Sequence, residues 1–217
     1  MSEYIAHQES LGEFTLKIIH DEDAFNPRTE YDGHLGKMVC WHRNYNLGDE
    51  QPRESPSVYL GYLAGEAVKA RDWELIPDEH IQRILNKHFI ILPLYLYDHS
   101  GITISTGPFG CPWDSGQVGF IYVSVEDAKK EFSGEDWKER TIETLRNEVK
   151  EYDNYLTGNC YGYVIENGDG EQVDSCWGFL GDYDGYILQE ARERLNYYYT
   201  NTPLQLPLPT MEELEHV

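Results

Sequence analysis

Apolar and polar residues alternate with a period of two over residues 13–19, EFTLKII, and again over 36–42, GKMVCWH, as strands with one buried face require. Between them, HDEDAFNPRTEYDGH carries Asp21, Glu22, Asp23, Glu30 and Asp32, with Pro27 and Gly33 interrupting regular structure. This predicts two strands around a long acidic loop. A second loop, NLGDEQPRESPS, leads to a small-residue helical pattern over 58–71. After Pro77, DEHIQRILNKH starts acidic and ends basic, which suits a helix dipole. The apolar run FIILPLYLYDHS, then ITIST, then QVGFIYVS after the turn-rich GPFGCPWDSG, predict three strands in a meander.

A helical period governs the next stretch. A short helix is expected over 125–132 and a long one over 136–156, where Trp137, Leu145, Val149, Tyr152 and Leu156 recur near every 3.6 residues. CYGYVIENGDGEQVDSCWGFLGD reads as two strands joined by a turn at Asn167–Gly170. A last helix over 185–199 turns Ile187, Leu188, Ala191, Leu195 and Tyr198 to one side. Residues 203–217 are expected to form an acidic, proline-containing tail. Hairpins outnumber βαβ alternations, so the expected class is α+β: a mainly antiparallel sheet packed by about three to four helices. The expected organisation is a single domain over 1–202, with 1–55 as a candidate small N-terminal lobe.

Charge changes this picture most. The 217 residues hold 39 Asp and Glu against 17 Lys and Arg, a net charge of -22. Such a field attracts basic protein surfaces and repels nucleic acid, and the Lys and Arg are too scattered to form a nucleic-acid-binding patch. The expected partner is a basic protein, with no direct nucleic acid. The start, MSEYIAHQESLGEF, has no basic n-region or apolar run, and no eighteen-residue apolar stretch occurs anywhere, so a cytoplasmic protein without membrane contact is expected. Cys40, Cys111, Cys160 and Cys176 form no CxxC pair, which favours free thiols over the alternative of a Cys160–Cys176 disulfide. Seventeen tyrosines offer half-buried aromatic area for a ligand pocket or a homo-oligomer interface.

Candidate chemistry gathers in two segments. DHSGITISTGPFGCPWDSG holds His99, Cys111 and Asp114, from which a thiol nucleophile with an imidazole base and an orienting carboxylate could be assembled; the competing reading is a structural loop. Asp21, Asp23, Asp32 and His34 are candidate ligands of a divalent cation, against plain solvated charge; no other cofactor is expected. No GxxxxGK[ST], GxGxxG or GxSxG motif is present, which removes the common nucleotide and serine-hydrolase chemistries. Glu135, Glu139 and Glu143 fall four apart, a like-charge column on the long helix.

LGKMVCWHRNYNLGD at 35–49 and LYDHSGITISTGPFGCPWDSGQVGFIYV at 96–123, continued by EYDNYLTGNCYGYVIE and DSCWGFLG, resemble signature stretches of a family of acidic proteins encoded by tailed bacteriophages and mobile elements. The resemblance implies a viral origin and the cytoplasm of an infected bacterium, and carries no catalytic residues. With the charge, it points to a non-enzymatic accessory protein that occupies the nucleic-acid-binding surface of a basic host protein. The acids expected to meet that partner are Asp21, Glu22, Asp23, Glu30, Asp32, Glu135, Glu139, Glu143, Asp182 and Asp184. The alternatives are a small metal- or Cys/His-dependent hydrolase and a structural or small-ligand-binding phage protein.

Overall fold

A computed structural model describes residues 4–202, which divide into two compact units. One is discontinuous, residues 4–22 and 160–202; the other is continuous, residues 23–159. The expected tail, 203–217, lies outside the described residues. In chain order the elements are β1 (Ile5–Leu11), β2 (Phe14–His20), α1 (Pro27–Glu30), β3 (Lys37–Cys40), α2 (Pro56–Val68), a 3-10 turn (Trp73–Leu75) and α3 (Asp78–His88). There follow β4 (Phe89–Asp98), β5 (Ile102–Ser105), β6 (Ser115–Ser124), α4 (Val125–Glu131), α5 (Trp137–Thr157), β7 (Cys160–Glu166), β8 (Gln172–Leu180) and α6 (Tyr186–Asn201). Two antiparallel four-stranded sheets with helices make the protein α+β, as the hairpin-rich pattern requires. Among the described residues, no helix is long and apolar enough to cross a membrane.

In the discontinuous unit the strand order is β1-β2-β7-β8. Phe14, Leu16 and Ile18 alternate along β2, and the register sets Leu16 opposite Ile165 and Ile18 opposite Tyr163, so both strands turn apolar side chains to one face. α6 covers that face with Ile187, Leu188, Ala191 and Leu195, spaced as one helical stripe. The β7–β8 turn is fixed by Asn167, whose side-chain oxygen accepts the N–H groups of Asp169 (3.0 Å) and Glu171 (2.9 Å). β1 was absent from the predicted elements because IAHQESL has little apolar alternation; it is an edge strand held by its hairpin to β2.

The continuous unit has the order β3-β6-β4-β5, which corrects the expected meander: β6 pairs with β4, and β5 lies on the other side of β4. Pairing between β4 and β6 runs from Phe89↔Ser124 to Tyr97↔Ser115, whereas four-residue β5 can satisfy only the far end of β4. The two strands around the acidic loop are also not partners, since β2 and β3 belong to different sheets. α5 packs Leu145, Val149 and Tyr152 against Met38, Leu94, Ile104 and Ile121. A second cluster joins Leu63, Ala64 and Leu85 of α2 and α3 to Phe89, Ile91 and Tyr122. Neighbouring residues of β4 therefore enter different clusters, which explains its near-continuous apolar run.

One polar node interrupts this apolar packing. The side chain of Arg28, in the one-turn α1, is 1% exposed. It donates through Nε to Asp49 Oδ1 (2.7 Å), through one terminal nitrogen to Asp49 Oδ2 (2.5 Å) and the Gly36 carbonyl (2.7 Å), and through the other to Glu148 Oε2 (3.1 Å). Glu148 also accepts the N–H of Leu35 (2.6 Å) and Gly36, and Asp49 that of Met38 (2.7 Å). Burial alone would lower the pKa of Arg28, but the hydrogen bonds and charges of Asp49 and Glu148 outweigh it and raise the value.

Arg28→Ala leaves the buried carboxylate of Glu148 and the partly exposed one of Asp49 without their cation, and a loss of about 3–5 kcal/mol in urea unfolding is expected. A loss under about 1 kcal/mol would mean that the node is not held as described. In the discontinuous unit, hydrogen bonds from Arg192 outweigh the effect of partial burial and lower Glu9 from 4.5 to about 2, with His7 adding to the shift. Because the folded value is the depressed one, the contribution of Glu9 is complete above the unfolded value and disappears as pH falls through the folded one. The stability gap between the native chain and Glu9→Gln should therefore be constant above about pH 5 and close as pH falls from there towards 2 in acid-unfolding curves.

Candidate functional site

The acids expected to meet a partner are distributed over both units. Asp21, Glu22, Asp182 and Asp184 lie in the discontinuous unit, whereas Asp23, Glu30, Asp32, Glu135, Glu139 and Glu143 lie in the continuous one. The side chain of Asp21 accepts the N–H of Gly178 (3.2 Å), and Glu22, Asp182 and Asp184 are exposed. Glu135, just before α5, and Glu139 and Glu143 on it are also exposed, but so are Lys138, Arg140, Arg146 and Lys150, which share the helix with the last two. That face of α5 is mixed in sign and presents no unbroken acidic column.

The units differ in how their charge is balanced. Over the described residues, the discontinuous unit has 12 Asp and Glu against three Lys and Arg in 62 residues; the continuous unit has 23 against 14 in 137. All three cations of the discontinuous unit are engaged by carboxylates of that unit. Lys17 Nζ meets Glu166 Oε1 at 2.6 Å, Arg192 forks onto both oxygens of Glu9 at 2.8 and 2.7 Å, and Arg194 Nε donates to Asp174 Oδ2 at 2.8 Å. Its other acids have no lysine or arginine left in the unit to offset them. Glu13, Asp169 and Glu171 are exposed around the turns at one end of β2 and β7, and Glu22, Asp182 and Asp184 follow the opposite ends of β2 and β8. A seven-residue strand separates the two groups by about 20 Å.

The candidate catalytic residues are brought together, but in the wrong order for nucleophilic catalysis. Asp114 stands between the other two: its Oδ2 lies 3.4 Å from Cys111 Sγ and 3.5 Å from His99 Nδ1. The thiol thus donates towards a carboxylate instead of an imidazole base. His99 is 63% exposed, stacks on Tyr97 and is open to solvent. The loop is organised by backbone contacts, with Asp98 N–H donating to the Asp114 carbonyl (2.8 Å) and Ser115 Oγ to the Cys111 carbonyl (2.5 Å).

Of the candidate metal ligands, His34 Nε2 bonds the Pro27 carbonyl at 2.8 Å, and Asp32 is exposed nearby. Both line an open depression of about 270 Å³ beside Arg28 and Asp49. Asp21 belongs to the other unit. Among the described residues, no group of three or more His, Cys, Asp or Glu converges as metal ligands do. Sequence reading missed the Arg28–Asp49–Glu148 node, although Glu148 gave a signal: it shares the buried stripe of α5 with Thr141, Leu145, Val149 and Tyr152, where a carboxylate requires a buried cation. No protein-family model, curated protein or solved structure matches the chain.

No disulfide joins the four cysteines. Burial first, then the charge of Asp49, pushes Cys40 up to about 12; burial and Asp21 push Cys160 up to about 11. Iodoacetamide at pH 8 should therefore label exposed Cys176 and half-buried Cys111 in the native protein, and Cys40 and Cys160 only after unfolding, as peptide mass mapping would read. Early labelling of Cys40 or Cys160 would contradict the packing described.

Proposed function

We propose that the protein is a phage-encoded accessory protein that binds a basic host protein at its nucleic-acid-binding surface and blocks it, acting through the discontinuous unit. The observation that carries this reading is charge balance: that unit has four acids for every cation, and each cation is already held by a carboxylate. Carboxylates at both ends of a short sheet project a negative field that a basic surface can meet, while screening confines the interaction to within about 8 Å at physiological salt. The viral origin rests on the resemblance of the segments around 35–49 and 96–123. The mixed-sign face of α5 supports a lesser role for Glu135, Glu139 and Glu143 than their spacing suggested.

The test is capture of a basic nucleic-acid-binding protein from bacterial lysate, followed by titration of that protein against variants. Glu22→Lys, Asp182→Lys and Asp184→Lys together should weaken the complex at least about ten-fold at 50 mM salt, with the difference shrinking as salt rises. Glu139→Lys with Glu143→Lys should have a smaller effect. Equal affinity of the folded triple variant, or binding that does not respond to salt, would overturn the proposal.

A further inference from the structure

Trp73, on the 3-10 turn after α2, packs its Cβ and the Cε3–Cζ3 edge of its indole against the backbone of that helix. A Cβ added at Gly61 would meet the Trp73 ring, and one at Gly65 would collide with the Trp73 Cβ. Glycine is the poorest helix former after proline, and this pair, four residues apart in α2, is what lets the indole seat so closely. With Tyr59, Tyr62 and Val58 of α2, and Glu50 and Glu54 of the preceding loop, Trp73 lines a partly enclosed cavity of about 310 Å³.

The walls of this cavity are fixed by contacts outside it. The Tyr59 ring packs edge-on to Trp41 (5.7 Å between centroids) and tilted to Phe120 (5.9 Å). Its hydroxyl lies 3.2 Å from that of Tyr122 and 3.3 Å from Glu50 Oε2, and burial followed by the Tyr122 hydrogen bond raises its pKa, which keeps the phenol neutral. Tyr62 donates its hydroxyl to Glu66 Oε1 (2.7 Å). Glu50 is held by Lys37 Nζ (2.5 Å). The backbone carbonyl of Glu54 is anchored by Trp41 Nε1 (2.7 Å), while its carboxylate makes no hydrogen bond or ion pair among the described residues.

We propose that this cavity is a binding site for an organic cation with an alkylated ammonium head. Aromatic faces attract cations through their quadrupoles, and two tyrosines, a tryptophan and an unengaged carboxylate supply that attraction together. The degree of alkylation follows from the supply of acceptors. A bare ammonium brings three N–H donors and a guanidinium five, whereas here Glu50 is taken by Lys37, both tyrosine hydroxyls are committed, and the Glu54 carboxylate is the one uncommitted side-chain acceptor among the lining residues. An alkylated head has few or no donors to satisfy and presents methyl groups to the rings. Arg53, beside Glu54 in sequence, does not line the cavity. The site lies within residues 23–159 and is independent of the charge-directed binding assigned to the other unit.

The full chain with isotope-labelled indoles would be titrated with choline, with N-acetyl-trimethyl-lysine amide and with the neutral isostere 3,3-dimethylbutan-1-ol, while the Trp73 Nε1–H resonance is followed. At least one cation should saturate that shift and bind about ten-fold or more tightly than the alcohol. A preference for choline identifies a free small molecule, and a preference for the lysine derivative identifies a modified protein side chain. Glu54→Gln, an exposed change that leaves the walls intact, should weaken the cation several-fold and leave the alcohol unchanged; Trp73→Leu should abolish the preference. Equal binding of the alcohol, no Trp73 shift with either cation up to about 10 mM, or an unaffected Glu54→Gln would each overturn the assignment.

Discussion

The guanidinium of Arg28 joins three segments that the hydrophobic effect alone would leave loosely placed: the acidic loop through α1, the loop after β3 through Asp49, and α5 through Glu148. Desolvating these ions costs several kcal/mol each, and mutual attraction repays that only when every donor and acceptor is used. The node comes close to that condition: four of the five guanidinium N–H groups bond to Asp49, Glu148 and the Gly36 carbonyl, and Leu35, Gly36 and Met38 turn their N–H groups to the two carboxylates. Among the described residues, no buried side-chain nitrogen or oxygen lacks a partner. Apolar contacts tolerate small slides between neighbours; a planar fork with two carboxylates does not. The start of β3, and with it one edge of the second sheet, is therefore placed by polar geometry, and the apolar core fills in behind it.

Local periodicity was a good guide to the elements. The period-two stripe of β2, the acidic-to-basic gradient of α3, the long stripe of α5 and the Asn167 turn each correspond to an observed element within a residue or two. The pairing order was not legible. A strand pattern states which face is buried and is silent on which neighbour covers its edge, so β2 with β7, and β4 between β5 and β6, could not be read locally. β1 escaped for the converse reason: an edge strand with half-exposed side chains carries little apolar signal.

Site chemistry was less legible than fold, and the reason is physical. Proximity in sequence suggested His99, Cys111 and Asp114, and they do meet, but function depends on which atom stands between the other two. Only coordinates show that the carboxylate takes the middle position. The aromatic cavity gave a single faint sign, two glycines four apart in a helix that has no evident need of them. Their use became apparent when Trp73 was found lying across them.

Charge acts here at two ranges, and the distinction limits what each can select. Beyond a Debye length the chain presents little more than its net sign, so any sufficiently basic surface feels the same pull from the discontinuous unit. Discrimination among such partners must come from contacts that exclude water, where a misplaced donor or an unfilled cavity costs far more than a change in screened field. The exposed carboxylates on either side of the first sheet are suited to the first task and poorly suited to the second, because solvent competes for every one of them. Specificity would therefore have to arise from apolar and aromatic side chains exposed on the same unit, and Trp177 of β8 and Tyr186 at the start of α6 are such side chains.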